Sequence, residues 1–198
     1  EYFYSLPQEE LSLPPAAMTV GDPSAEIRIA VFTDFLCTAC YGFHNVKKAL
    51  MARFPGRIRV DYYNFPLDTV CNRHSPRTVY PNSCVASQAF LAAAERGVFA
   101  DLLEYHFSRY PESQSRLHRG DSIMNVKGYF EKRMKGYEYA QFLQEVLSER
   151  MKLALNEEIE LGGRLNIRSV PTLFINGRRI EGVPNAALLE SVIAEELR

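Results

Sequence analysis

The amino-acid sequence predicts an α/β domain with a helical insertion, and three consecutive patterns near its beginning carry this prediction. An apolar stretch from Ile27 to Thr33 is typical of a buried strand. Thr38 to Phe54 follows as a helix that ends at Pro55-Gly56, and Arg57 to Phe65 alternates as a second strand. A strand, a helix and a strand in this order predict a parallel pair with a right-handed crossover. The segment after Thr33 then lies at the carboxyl end of a strand, where open α/β sheets place their chemistry.

The middle of the chain has helical spacing instead. Apolar residues recur at helical intervals from Ser83 onwards, and Phe99 to Tyr110 continues as a second helix after Gly97. Residues 111–120 are polar, and helical patterns return over residues 125–135 and 137–161. We interpret residues 83–148 as a helical insertion that covers part of the sheet. We expect its aromatic side chains to be core residues: Phe90, Phe99, Tyr105, Phe107 and Tyr110.

The two ends of the chain have simpler patterns. Prolines among glutamine and glutamate residues predict an extended leader or tether over residues 1–22, ahead of a domain over residues 23–198. Near the other end, Thr172 to Ile175 predicts a strand, Asn176-Gly177 a two-residue hairpin turn, and Arg178 to Glu181 the returning strand. Pro184 to Leu197 predicts a closing amphipathic helix.

Two cysteines, Cys37 and Cys40, stand at the start of the first helix with Thr38-Ala39 between them. A thiol in the first turn of a helix faces unpaired backbone N–H groups and the positive end of the helix dipole, which favour the thiolate. Cys37 is therefore the predicted nucleophile. Cys40 lies one turn further on, where it can attack a mixed disulfide at Cys37 and release the substrate.

The same spacing supplies half of a structural zinc site, so a zinc-stabilised binding module is an alternative. That site would use His44, which we otherwise expect to be a partly exposed helix residue, and Cys71 as further ligands. We favour the redox interpretation, which needs no metal and no cofactor. The other histidines have no nucleophile at a recognisable spacing and receive no chemical role: His74, His106 and His118.

Composition narrows the class of protein further. The chain has 198 residues and a formal net charge of −1 with scattered basic residues, so we expect no nucleic-acid partner. Four cysteines suit an oxidising compartment, and we predict a structural disulfide between Cys71 and Cys84. The alternatives to a structural disulfide at Cys71 and Cys84 are two free buried thiols and a second redox pair.

The chain begins without a signal-peptide pattern, as a mature or excised portion would, and has no apolar run of membrane-spanning length.

Three motifs resemble the thioredoxin-fold disulfide oxidoreductases of the DsbA type. They are Gly21-Asp22-Pro23-Ser24-Ala25, the segment from Val31 through Cys40, and Ser169-Val170-Pro171-Thr172-Leu173-Phe174-Ile175-Asn176-Gly177. The resemblance implies a thioredoxin fold and a cis proline at Pro171 beside the two cysteines. It also implies substrate binding through polypeptide backbone at Thr38, Ala39, Val170 and Pro171.

The resemblance has one departure and several functional implications. The family often has a buried acid six residues before the first cysteine, where this chain has Val31. Asp34 and Glu26 are the nearest carboxylates, but the alternation of the strand makes neither an obvious substitute.

Some members are fused to, or work with, membrane quinone reductases of the vitamin K epoxide reductase or DsbB type. An exported, periplasmic or otherwise extracytoplasmic location, with a possible membrane tether, follows from the same resemblance.

The sequence therefore predicts a thiol-disulfide oxidoreductase that forms disulfides in exported, cysteine-containing polypeptides. A reductase or disulfide isomerase with the same site is the alternative, although no dimerisation module is evident and we expect a monomer. Because Thr38-Ala39 contains no cation, we expect a reduction potential between roughly −120 mV for the strongest oxidant and roughly −270 mV for thioredoxin.

Overall fold

The computed structural model describes residues 2–198, which form five strands and nine helices. The strands are β1 (Met18–Gly21), β2 (Ile27–Thr33), β3 (Ile58–Asn64), β4 (Thr172–Ile175) and β5 (Arg178–Glu181). The helices are α1 (Tyr2–Ser5), α2 (Thr38–Arg53), α3 (Ser83–Glu95), α4 (Phe99–Ser108), α5 (Tyr110–His118), α6 (Met124–Glu131), α7 (Gly136–Val146), α8 (Glu149–Arg164) and α9 (Ala186–Glu196).

All five strands belong to one mixed sheet in the order β1-β3-β2-β4-β5. The central strand β2 pairs parallel with β3, with Ile27 opposite Ile58, and antiparallel with β4, with Phe32 opposite Thr172. Strands β4 and β5 form the predicted hairpin. This register brings the carboxyl end of β2, which precedes Cys37, beside the amino end of β4, which follows Pro171.

The central strand β2 is buried on both faces of the sheet, which explains why it is an almost continuous apolar run. Its Ile29 and Val31 belong to the larger core cluster, together with residues of α2, α9 and the helical insertion. Its Ala30 and Phe32 face the other side and belong to a second cluster that contains Cys37 and Cys40. The predicted α/β thioredoxin fold with a helical insertion is confirmed by this architecture.

The segment predicted as an extended leader over residues 1–22 contains regular structure. Strand β1 pairs antiparallel with β3, and the side chain of Met18 is fully buried. The reason is that β3 would otherwise leave one edge of the sheet unpaired, and β1 covers it. Between α1 and β1 the chain lies against the domain, where Leu11 and Leu13 pack on the second core cluster.

The helical insertion consists of α3 to α7, and two of its features differ from the sequence prediction. The polar residues 111–120 form most of helix α5. Pro111 lies in the first turn, where the missing N–H is tolerated, and Tyr110, Ser113 and Leu117 form its buried side. The long helix predicted over residues 137–161 is divided at Ser148, whose Oγ accepts a hydrogen bond from the Met151 amide and caps α8.

Candidate active site

Cys37 and Cys40 lie at the amino end of α2, directly after the carboxyl end of β2. Cys37 is the N-cap residue of the helix, and its amide donates a hydrogen bond to the Asp34 carbonyl at 3.0 Å. Both cysteines are free thiols, with 4% of Cys37 and 2% of Cys40 exposed. The residue after β2 therefore begins a tight turn that leads into α2, and both thiols lie almost fully buried at its start.

The surroundings shift the pKa values of the two thiols in opposite directions. Hydrogen bonding from Cys40 lowers the pKa of Cys37 to about 7, with a further contribution from the Tyr80 hydroxyl, against the opposing effects of burial and Asp34. Burial raises the pKa of Cys40 well above its ordinary value, and the neighbouring Cys37 adds to this effect. At neutral pH the first thiol is thus available as thiolate, whereas the second holds its proton.

The loop before β4 completes the other side of the site. The Val170–Pro171 peptide bond is cis, and the Val170 carbonyl oxygen lies 3.6 Å from the Cys37 Sγ atom. Beyond Cys37 along the chain, Thr38 is exposed and Ala39 is half-buried. The sequence predicts a substrate-binding surface at Thr38, Ala39, Val170 and Pro171. Thr38 and Ala39 follow Cys37 along the chain, whereas Val170 and Pro171 form the cis peptide whose loop contacts the Cys37 thiol.

Asp34 is a buried acid next to the site, contrary to the sequence interpretation. Its carboxylate accepts hydrogen bonds from the Leu36 amide at 2.9 Å and the Leu67 amide at 2.8 Å. Burial raises its pKa to about 6. Strand β2 ends at Thr33, so the alternation of the strand does not extend to Asp34 and cannot assign it to the surface. Val31 is a fully buried apolar residue, so Asp34 is the carboxylate that acts on the Cys37 pKa.

Tyr80 is a second site residue that sequence reasoning missed. Its hydroxyl helps to lower the pKa of Cys37, and its own pKa is raised by burial and by the charge of Cys37. The backbone amides of Val79 and Tyr80 donate to the Leu67 carbonyl at 2.7 and 3.3 Å. The predicted bond between Cys71 and Cys84 is present and closes the loop that contains Tyr80.

The helical insertion also reaches the site through α5. The Tyr110 hydroxyl donates to the Leu36 carbonyl at 2.6 Å, and His118 Nε2 lies 2.8 Å from the same oxygen. Gln114 Nε2 donates to the Thr38 hydroxyl at 2.8 Å. The spacing of four residues between these side chains is the signal that could have identified them, but it is visible only once residues 111–118 are known to be helical.

The remaining histidines have local structural partners. His106 is fully buried, its Nε2 bonds to the Phe35 carbonyl at 2.8 Å, and burial lowers its pKa to about 4. His44 is buried rather than partly exposed, because Phe107 of the insertion packs against it with ring centroids 4.7 Å apart. Burial lowers the pKa of His44 to about 3, and its Nε2 faces Glu104 at 3.3 Å.

The zinc arrangement considered from the sequence does not form. Cys71 is bonded to Cys84, and His44 faces Glu104 instead of the cysteines. Within residues 2–198, no group of three or more His, Cys, Asp or Glu side chains has the geometry to hold a metal ion. In the same range, no helix has both the length and the apolar character needed to cross a membrane.

Comparisons with known proteins identify the family and the fold of this chain. The family model described as thioredoxin matches residues 14–195. Among solved structures, BdbD from Bacillus subtilis has a TM-score of 0.70 at 16% identity and covers 97% of this chain and 98% of its own. Wolbachia pipientis alpha-DsbA1 also has a TM-score of 0.70 at 16% identity, with 93% and 92% covered. A periplasmic thioredoxin-like protein from Salmonella enterica serovar Typhimurium has a TM-score of 0.63 at 17% identity, with 93% and 91% covered.

Curated sequences similar to this chain are much longer than it is. The protein named Na(+)/H(+) antiporter NhaA 1 from Salinispora arenicola is 25% identical over 176 residues, which are 87% of this chain and 24% of that protein. The protein of the same name from Mycolicibacterium gilvum is 25% identical over 171 residues, 85% of this chain and 25% of its own length. The chain thus spans about a quarter of the length of these relatives.

Proposed function

This chain belongs to the thioredoxin family and has the fold of its DsbA-type members, and from that premise we propose that it is a thiol-disulfide oxidoreductase which forms disulfides in exported polypeptides. The observation that carries the proposal is the opposite shift of two neighbouring thiols, Cys37 and Cys40. A lowered pKa makes Cys37 a good leaving group, because thiol exchange is faster when the departing thiol has a lower pKa.

In the proposed reaction, the oxidised enzyme contains a bond between Cys37 and Cys40. A substrate thiolate attacks the Sγ atom of Cys37, the bond between the two cysteines breaks, and Cys40 departs and takes up a proton. A second substrate thiolate then attacks the substrate sulfur of the mixed disulfide. Cys37 leaves as a thiolate, and the substrate has gained a disulfide while the enzyme has become a dithiol.

The surface around Cys37 supports polypeptide substrates of varied sequence. Thr38 and Ala39 have small side chains, and the Val170 carbonyl lies beside the reacting sulfur. We propose that an extended substrate segment lies along Val170 and Pro171 and is held through its backbone, which gives affinity with little dependence on side chains. A library of cysteine peptides that differ at the flanking positions should therefore be oxidised at similar rates. A strong sequence preference would contradict this part of the proposal.

The decisive experiment is the equilibrium of the Cys37-Cys40 pair with glutathione, with Cys37→Ser as the blank. A potential near or above roughly −180 mV supports a thiol oxidase, whereas one near roughly −270 mV favours the reductase or isomerase alternative. If the native protein has no reversible couple, the two thiols are structural and the proposal is wrong.

The reduced enzyme must pass its electrons to an acceptor, and we propose a membrane quinone reductase of the vitamin K epoxide reductase or DsbB type. Membranes that contain such an enzyme and quinone should restore the Cys37-Cys40 bond, and membranes without it should not. Equal rates with both membrane preparations would contradict this partner.

We also propose that the chain works outside the cytoplasm and is held at a membrane. The periplasmic description of the similar Salmonella protein supports the location, and the similarity to part of two proteins named antiporters supports the tether. In intact cells, a membrane-impermeant maleimide should label Cys37 after mild reduction. Labelling that requires cell lysis would contradict this location.

A further inference from the structure

Helix α5 holds the backbone next to Cys37 with three side chains spaced four residues apart. The Tyr110 hydroxyl and His118 Nε2 both lie within hydrogen-bonding distance of the Leu36 carbonyl, at 2.6 and 2.8 Å. Gln114 Nε2 donates to the Thr38 hydroxyl at 2.8 Å, and that hydroxyl lies 3.3 Å from the Tyr110 hydroxyl. The contacts therefore reach the residue before Cys37 and the residue after it.

The proton positions in this network follow from the donors and acceptors available. The Leu36 carbonyl accepts only, so the Tyr110 hydroxyl donates to it. His118 Nε2 lies 2.8 Å from the same oxygen and 2.9 Å from the Tyr110 hydroxyl. We assign the ring proton to Nε2, because a bare nitrogen lone pair at 2.8 Å would repel the carbonyl. The Thr38 hydroxyl accepts from Gln114 and can then donate to the Tyr110 oxygen. Each donor in the network has a partner in this arrangement.

These contacts control the orientation of Cys37 because of the planar peptide bond. The Leu36 carbonyl and the Cys37 amide belong to one plane. The amide side is held by a hydrogen bond to the Asp34 carbonyl at 3.0 Å, and the carbonyl side is held by Tyr110 and His118. Cys37 makes no capping hydrogen bond with its own side chain, so this plane sets the position of its Cβ atom, from which Sγ reaches the Val170 carbonyl at 3.6 Å.

We infer that His118 is a positioning residue for Cys37: together with Tyr110, it fixes the Leu36 carbonyl and thereby holds the nucleophilic sulfur at the amino end of α2. This inference rests on the proposed function, in which Cys37 is the nucleophile of thiol-disulfide exchange. His118 is half-buried and packs against Tyr80, with ring centroids 4.8 Å apart, so it also borders the second residue that contacts the sulfur. The helical insertion, and not only the thioredoxin fold, would thus set the reactivity of the thiol.

The test compares two amides at position 118. Gln places its amide nitrogen where His118 has Nε2, whereas Asn places it nearer to Nδ1 and cannot reach the Leu36 carbonyl. His118→Gln should therefore keep the contact, and His118→Asn should lose it with little change in polarity. His74→Gln, at an exposed histidine that contacts Glu160, is the control for the loss of an imidazole elsewhere in the protein. Urea unfolding of each variant confirms that the protein assayed is folded.

The readout is the rate of Cys37 alkylation by iodoacetamide as a function of pH, measured on the reduced protein. Loss of one buried hydrogen bond to the turn should slow alkylation near pH 6 about fivefold in His118→Asn, with the midpoint of the profile moved to higher pH. The alkylation rate of His118→Gln should stay within about twofold of that of the unaltered protein. A change of about twofold is within the spread of the contributions of single hydrogen bonds. His74→Gln should not differ from it.

Two results would overturn the inference. One is a folded His118→Asn protein with an unchanged alkylation profile, and the other is a His118→Gln protein that is as slow as His118→Asn. Alkylation needs no disulfide exchange, so this comparison is independent of the glutathione equilibrium. A missing redox couple in the unaltered protein would remove the proposed function, while the contribution of His118 to Cys37 would still be measured.

Discussion

The carboxylate of Asp34 and the thiol of Cys37 are electrostatically coupled across a single turn of backbone, and the charge of Asp34 raises the pKa of Cys37. The same carboxylate holds the turn together, because it accepts hydrogen bonds from the Leu36 and Leu67 amides. Asp34 therefore has two opposing effects on the site. It fixes the geometry of the turn that precedes the nucleophile, and it makes the thiolate less favourable.

Asp34→Asn should make Cys37 more reactive. The substitution removes a negative charge near the sulfur, and we expect Cys37 alkylation near pH 6, where that carboxyl is about half ionised, to be about twofold faster. Asp22→Asn is the control, since Asp22 is exposed and its partner is Ser24. A Cys37 profile that is the same in Asp34→Asn and in the unaltered protein would contradict the coupling.

The same variant should change how stability depends on pH. Burial raises the pKa of Asp34 from 3.8 to about 6, so between these values the folded state binds more protons than the unfolded state. The stabilising contribution of protonated Asp34 is present below about pH 4 and is lost as the pH rises through about 6.

Relative to the unaltered protein, the free energy of unfolding of Asp34→Asn should therefore increase between about pH 4 and pH 6, by about 3 kcal/mol in total. Urea unfolding at a series of pH values measures this difference. A difference that is constant over this range would mean that Asp34 has an ordinary pKa in the folded protein.

Removal of the Cys71–Cys84 bond should destabilise the protein without removing the redox couple. The bond closes a loop with a sequence separation of 13, for which the chain-entropy model gives about 3 kcal/mol. Urea unfolding of the double variant Cys71→Ser/Cys84→Ser measures this loss. If the variant remains folded and exchanges with glutathione at Cys37, the Cys71–Cys84 bond is structural. If a folded variant oxidises substrate once but not repeatedly, Cys71 and Cys84 relay electrons as a second redox pair.

Gly162→Ala should destabilise the contact between α8 and the sheet. A Cβ atom at Gly162 would overlap the ring of Phe65, next to the cluster that contains both site cysteines. Overpacking of this kind typically reduces the free energy of unfolding by about 1–3 kcal/mol.

Gly136→Ala is the matched control for that substitution, because nothing lies within 4 Å of a Cβ atom there and the residue begins helix α7. We expect it to leave stability unchanged or to raise it by up to about 1 kcal/mol. Equal urea midpoints for the two variants would show that α8 can move away from Phe65 without loss.

The parts of the fold that sequence patterns predicted well are those in which each residue's environment follows from its neighbours along the chain. Strand β2 begins at Ile27 and ends at Thr33 as predicted, and helix α2 begins at Thr38. The interpretation of Asp34 was wrong because a strand pattern was extended one residue beyond the end of the strand. Helix α5 was missed because its buried side has few apolar residues, so its period is weak in the sequence.

By itself, the sequence determined the thioredoxin-type α/β domain and the pair of cysteines at the start of its first long helix, since strand period, helix period and cysteine spacing are local properties. Tertiary structure alone decided the surroundings of those cysteines: the burial of Asp34 in the turn, Tyr80 on its disulfide-closed loop, and Tyr110 and His118 on α5. The physical reason is that pKa values and hydrogen bonds depend on distances through space. Residues separated by 82 positions along the chain, such as Leu36 and His118, come together only when the sheet and its insertion have packed.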